Sequence, residues 1–152
     1  MNPLSNILRN PILLTGIIAW ASSQAAKTIV HLIINKQLVW ERLVGDGGMP
    51  SSHSATVTSV AVATGLRCGW DSPVFAVALI LALVVMHDAM GVRQETGKQA
   101  KVLNSMMEIF ESLGRGDLTP EESLKEFVGH TRRQVLVGSA FGTAISLLIN
   151  MR

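Results

Sequence analysis

The sequence predicts an all-α fold: a small integral membrane bundle of about four crossing helices, with amphipathic helices in the 98–128 region, formed by residues 1–152 as a single domain. Three observations predict it. Charged residues are 16% of the chain and apolar residues 48%, whereas soluble domains average roughly 25% charged. The charges are segregated, with few in 11–35, 52–66, 73–87 and 134–150 and most between Asp88 and Arg133. The first apolar stretch is also long enough for a bilayer, whose hydrocarbon core takes ~20 helical residues. A soluble helical protein with a very apolar core is the alternative, because several of the later segments run to only about 15 residues.

Pro11 to Ile34 is the longest apolar segment. Gln24, Lys27 and His31 lie three and four residues apart in it, so they share one helical face. A charge inside a spanning helix faces protein or a wet cavity, because lipid cannot solvate it. Asn35 to Met49 is a polar connection. Pro50 to Leu66 is the second helix, opened by proline and serines. Its Ser, Thr, Ala and Gly suit close packing against other helices. Arg67 to Ser72 is a turn, and Pro73 to about Ala89 is the third helix. Gly91 to Gly97 reads as a break. In Lys98 to Leu113, Val102, Leu103, Met106, Met107, Ile109, Phe110 and Leu113 form a stripe of helical period. This amphipathic helix is expected on the membrane surface or as a cap on the bundle. Thr119 to Glu122 reads TPEE, a capping box that starts a short helix to about Val128. Gly129 breaks that helix, and Thr131 to Asn150 is the last one. Gly138 and Gly142 form a GxxxG pair that permits close helix contact, and a homodimer through them is a further expectation.

Composition excludes several functions. A net charge of +2, no tyrosine and no basic stripe with interleaved aromatics give nucleic-acid binding no support. The single cysteine, Cys68, rules out an internal disulfide and a multi-cysteine metal site. Pro11 to Asn35 lacks the flanks of a cleaved signal peptide and reads as a retained helix. No metal or other cofactor is expected.

Four crossings place both termini on one face. The other face gathers the GGMPSSH turn, Asp88, the Arg93 loop and His130. Helix starts expose unpaired N–H groups and a positive dipole end, which favour anions. Ser51, Ser52 and His53 open one helix, and His130 and Thr131 open another. Gly47 and Gly48 let backbone approach a ligand closely. With the cations Arg93 and Lys27, the constellation suits a phosphate. Two imidazoles supply what phosphoryl transfer needs, one to attack phosphorus and one to protonate the leaving oxygen. Each residue also has a plainer reading: PSSH as a helix cap, Arg93 as a headgroup anchor, His31 as a packing residue, Asp88 as a partner of Arg93.

The stretches GGMPSSHSA, DAMGVRQETGKQAKVLN and GHTRRQVLVG resemble the divergent PAP2 family, related to type 2 phosphatidic acid phosphatases and vanadium haloperoxidases. The resemblance runs from about Gln24 to Gly142. It implies a membrane phosphatase with a histidine nucleophile and a lipid or isoprenoid phosphate as substrate. By the same resemblance His130 matches the nucleophile and His53, in Pro50 to His53, the general acid. Lys27, Arg93, Ser51, Ser52 and Gly48 would bind the substrate phosphate, and Asp88 and Gln99 would support the site. The broader superfamily's lysine–arginine motif has no full match: Lys27 is the nearest equivalent, and Lys36 and Arg42 are spaced one residue off and lack the proline. Gln134 stands where the broader superfamily has a carboxylate that orients the nucleophile, and Glu126, one turn before His130, is a substitute. The loss of that charge makes a non-catalytic lipid-phosphate binder, or a subunit of a larger membrane assembly, the alternative function. Arg9, Arg67 and Arg152 lie on one face against nine lysines and arginines on the other, so the positive-inside rule puts the site in the cytoplasm.

Overall fold

The computed structural model describes residues 3–36, 48–114, 123–124 and 129–151. The described residues are all-helical: α1 (Pro3–Leu8), α2 (Pro11–Asn35), α3 (Ser52–Cys68), α4 (Pro73–Met90), α5 (Val92–Ser112) and α6 (Arg132–Asn150). Local chemistry sets the starts. The Asn10 side chain accepts from Ile12 and Leu13 N–H, with Pro11 opening α2. Ser72 accepts from Phe75 N–H, with Pro73 opening α4. Ser51 and Thr131 cap α3 and α6. Proline suits a first turn because the N–H it lacks has no intrahelical partner there.

α3 lies at the centre and touches α2, α4 and α6. Its relation to α6 follows from two glycines. A Cβ on Gly138 would lie 2.5 Å from Ser51 O, and one on Gly142 would overlap Ala55 O. The contacts ascend together along both chains, so α3 and α6 run parallel and nearly backbone to backbone. α2 runs antiparallel to α3, since Gly16 meets Val60 and Gln24 meets Ser52. One end of the bundle holds the starts of α3 and α6 and the ends of α2 and α4. At the other, Arg67 Nε donates to Asn150 Oδ1 at 2.5 Å, and Asn150 Nδ2 donates to Thr15 Oγ1 at 3.1 Å.

The packing is inverted relative to a water-soluble globule. The buried apolar residues are almost all alanine, joined by Thr15, Ser23, Ser54, Ser59, Thr64 and Ser146. Large apolar side chains face outward: Ile80 is 59% exposed, Val84 60% and Leu148 71%. Most buried hydroxyls bond to their own helix. Thr15, Ser59 and Thr64 donate to the carbonyls of Pro11, Thr56 and Val60. They act as small, satisfied spacers that let helices approach.

Several expectations shift. α1 precedes the first long helix. Pro50 and Ser51 lie outside α3, which continues to Cys68. The expected break from Gly91 to Gly97 contracts to Gly91, because Gln94 and Glu95 N–H already donate to its carbonyl and start α5. α5 touches α4 alone among the described helices, so it does not cap the bundle, and its stripe stays exposed at Val102, Ile109 and Leu113. The TPEE capping box and most of the short helix to Val128 lie outside the described residues, as do Glu126, Arg42 and Gly47. Of the four expected crossings, Pro11–Asn35 and Pro73–Ser112 are long and apolar enough. α3 needs less apolarity because its neighbours surround it. Gly138 and Gly142 make their close helix contact within the chain, against α3.

Replacing Gly142 by leucine is expected to destabilise the bundle by at least about 1–3 kcal/mol, the usual cost of overpacking. Ala140→Leu, on the exposed face of α6, should leave the thermal midpoint in detergent unchanged. Equal midpoints for the two variants would contradict the close α3–α6 approach.

Candidate functional site

The two histidines singled out from the sequence meet. The rings of His53 and His130 lie 5.7 Å apart between centroids, at 61° in an edge-to-face arrangement. His53 sits in the first turn of α3. His130 immediately precedes the Thr131 cap of α6 and is 2% exposed. Its N–H donates to Ala89 O at 2.9 Å, which ties it to the end of α4. Gly129, at φ +89°, lies against the Arg93–Gln94 backbone, where a Cβ would come within 2.7 Å of Gln94 N. That close approach requires glycine ahead of the histidine.

Gln134 fixes the state of the His130 ring. Thr131 and Gln134 form a full capping box. Thr131 N–H donates to Gln134 Oε1 at 2.9 Å, and His130 Nδ1 lies 3.3 Å from the same oxygen. A backbone N–H can only donate, so the amide atom it meets is the carbonyl oxygen. That oxygen can only accept, so in the neutral ring Nδ1 carries the proton and Nε2 the lone pair. The glutamine thus sets the tautomer as a carboxylate would, without the negative charge.

The remaining predicted residues divide. Lys27 is 5% exposed, and its stem runs past Gly48, where a Cβ would lie 3.3 Å from Lys27 Cδ. Gly48, at φ +82°, is thereby required twice, for its conformation and for the room it leaves. Ser51 and Ser52 are buried at the start of α3, but their hydroxyls are engaged. Ser51 Oγ accepts from Ser54 N–H, and Ser52 Oγ donates to Gln24 Oε1 at 3.4 Å. Arg93 abuts Gly129 through its backbone, while its Nε lies 3.6 Å from Asp88 Oδ2 in a half-exposed pair. Gln99 is exposed further along α5, and His31 is only half-buried near the end of α2. The described residues contain no group of three or more His, Cys, Asp or Glu arranged to hold a metal.

Sequence reasoning missed the Ala89 carbonyl, the Thr131 lock and the surrounding space. A cleft of about 240 Å3 opens beside His53, lined by Trp20, Gln24, Ser52, Val57 and Val85. A wider groove of about 900 Å3 lies between α4 and α6, with Leu83, Met86, Asp88, Arg132 and Leu136 among its walls and neither paired histidine. The sequence signal that could have revealed the lock is the T-x-x-Q spacing from Thr131 to Gln134, a capping-box pattern.

A pair of imidazoles meets where two helix starts adjoin, at the end of the bundle that also holds the buried Lys27. The chain matches the divergent PAP2 family over residues 8–145 and belongs to it. It is also 34% identical over 151 residues to YuiD of Bacillus subtilis (strain 168), described as an uncharacterized membrane protein, covering 94% of this chain and 96% of that one. No solved structure matches.

Thr131→Ala removes the hydroxyl that caps α6 and should lower stability by about 1 kcal/mol. Gln134→Leu removes the acceptor at Nδ1. Nitrogen NMR of labelled His130 is expected to report protonated Nδ1 in the neutral ring of the wild type and a mixture of tautomers in Gln134→Leu. The same spectrum in both would show that the glutamine does not set the tautomer.

Proposed function

We propose that the chain is an integral membrane phosphatase that hydrolyses a lipid or isoprenoid phosphate through a phosphohistidine. The observation that carries this reading is the 5.7 Å approach of His53 and His130 at the polar end of the bundle. Family membership and the outward-facing leucines, isoleucines and valines support the membrane setting. Lipid solvates such a surface, whereas contiguous apolar patches of this extent are rare on soluble monomers.

In the first step His130 Nε2 attacks phosphorus. The N–P bond forms as the bond to the leaving oxygen breaks, and His53 gives that oxygen its proton. In the second step His53 takes a proton from water, whose oxygen attacks phosphorus and breaks the N–P bond. Inorganic phosphate leaves, and both rings return to their starting states. Lys27, Arg93 and the N–H groups at the starts of α3 and α6 hold the non-bridging oxygens, where transition-state charge is spread. The excess of lysine and arginine that the sequence assigns to this end supports a cytoplasmic face for the site.

A second reading is favoured by Gln134. With no carboxylate behind Nδ1, the positive charge that builds on His130 during attack lacks a counterion. In serine proteases the orienting aspartate also stabilises the imidazolium that forms, and Gln134 supplies the orientation without that stabilisation. A non-catalytic lipid-phosphate binder would keep every other feature of the site.

Phosphate release from a panel of lipid phosphates separates the two. Wild type is expected to turn over at least one member, and His130→Ala and His53→Ala to lose at least about 100-fold, the usual scale for a general acid or base. Turnover that is equal in all three proteins would reject the mechanism. Gln134→Glu completes the preferred Thr-x-x-Glu capping box and restores the charge. It should raise turnover without loss of thermal stability, and a lower rate in that variant would count against His130 as nucleophile.

A further inference from the structure

His53 borders two spaces, the gap shared with His130 and the cleft of about 240 Å3 between α2, α3 and α4. On the reading proposed above, the leaving oxygen must lie beside His53, so the rest of the alcohol continues into whatever opens from that ring. We infer that this cleft is the alcohol-side subsite, and that it selects a single-chain alkyl or prenyl phosphate over a two-chain glycerolipid phosphate.

The cleft is built for a ligand with one polar end. Gln24 and Ser52 line it and are 7% and 4% exposed. Burial of such polar side chains demands hydrogen-bond partners. The Ser52 hydroxyl donates to Gln24 Oε1, which orients the amide and leaves its N–H₂ as a donor beside the cleft. Among the described residues no hydrogen bond from that nitrogen is seen, and a bridging phosphate oxygen or an alcohol oxygen would accept it. The other walls, Trp20, Val57 and Val85, are apolar. Trp20 is 46% exposed at the outer edge, so the cleft leads from His53 to the apolar exterior.

Size sets the selectivity. At about 240 Å3 the cleft falls below the roughly 300–1,000 Å3 of pockets that enclose drug-sized ligands. It accepts the first carbons of one chain, whereas a glycerol branch point with two ester-linked chains needs room on both sides. The larger groove between α4 and α6 includes neither His53 nor His130 among its walls, so an alcohol lying there would not be placed beside the proton donor.

The experiment measures kcat/KM in detergent for farnesyl phosphate, ethyl phosphate and dioleoyl phosphatidic acid, together with binding of a non-hydrolysable farnesyl phosphonate. Wild type should prefer farnesyl phosphate over phosphatidic acid by at least about tenfold, the low end of what pocket fit achieves. Val57→Phe fills the cleft and should lower the farnesyl-to-ethyl ratio by about tenfold and weaken phosphonate binding by a similar factor. Trp20→Ala should narrow the preference against phosphatidic acid. Val84→Phe, on the exposed face of α4 and away from the cleft, controls for the bulk of the substitution and should change neither the ratio nor the binding. Phosphatidic acid turned over as well as farnesyl phosphate, or Val57→Phe matching Val84→Phe, would overturn the subsite. If wild type hydrolyses nothing, the phosphatase reading fails, and the phosphonate decides the cleft separately: binding that weakens in Val57→Phe and not in Val84→Phe upholds it, and equal binding rejects it.

Discussion

The rest of the molecule depends on the contact between α3 and α6, two helices that run parallel with glycine against backbone carbonyl. Parallel neighbours set like ends of their dipoles side by side, which is unfavourable by itself. Here Gly138 and Gly142 bring the helices close enough for dispersion to compensate, and Ser51 N–H donates to Gln134 O across the junction. The consequence is an end of the bundle where two helix starts coincide, each with N–H groups that its own turns do not satisfy. His53 belongs to one start and His130 to the other, so the same contact that closes the bundle also brings the rings together.

The two kinds of buried polar residue have different origins. Thr15, Ser59 and Thr64 answer to their own helix carbonyls and need no partner elsewhere. Gln24, Lys27 and His130 cannot be satisfied that way. Their side chains are long or cyclic, and they gather at the end where α2 finishes and α3 and α6 begin. A bundle that fills its interior with alanine, serine and threonine has little void for large polar groups. Lys27 and His130 are nevertheless held there, beside a half-buried His53.

Gln134 shows how one substitution divides orientation from charge. Its carbonyl, held by Thr131 N–H, leaves Nε2 of a neutral His130 with the lone pair. A carboxylate would do the same and would also offset the positive charge that the proposed attack puts on the ring. The site keeps its geometry while that electrostatic support is withdrawn, which is why membership of a phosphatase-related family does not by itself establish turnover.

Much of the fold was legible because membrane-length apolar runs, proline-opened helices and serine caps act over a few residues. The starts of α2, α4 and α6 fall where Asn10–Pro11, Ser72–Pro73 and Thr131 indicate. The extent of the Gly91 junction was not legible, since a glycine can end a helix or merely kink it, and only the backbone bonding to Gly91 O decides. Nor was the use of Gly138 and Gly142, because a small-residue face looks the same whether its partner is another chain or α3. The sequence by itself determined an all-helical chain whose segregated charges and motif spacing send Ser51–His53 and His130 toward one end. Tertiary structure alone decided that the two rings touch, that Thr131 and Gln134 lock the tautomer, and that a narrow cleft opens beside His53. Each of these depends on the angle and distance between helices far apart in the chain, and no local pattern of residues encodes such quantities.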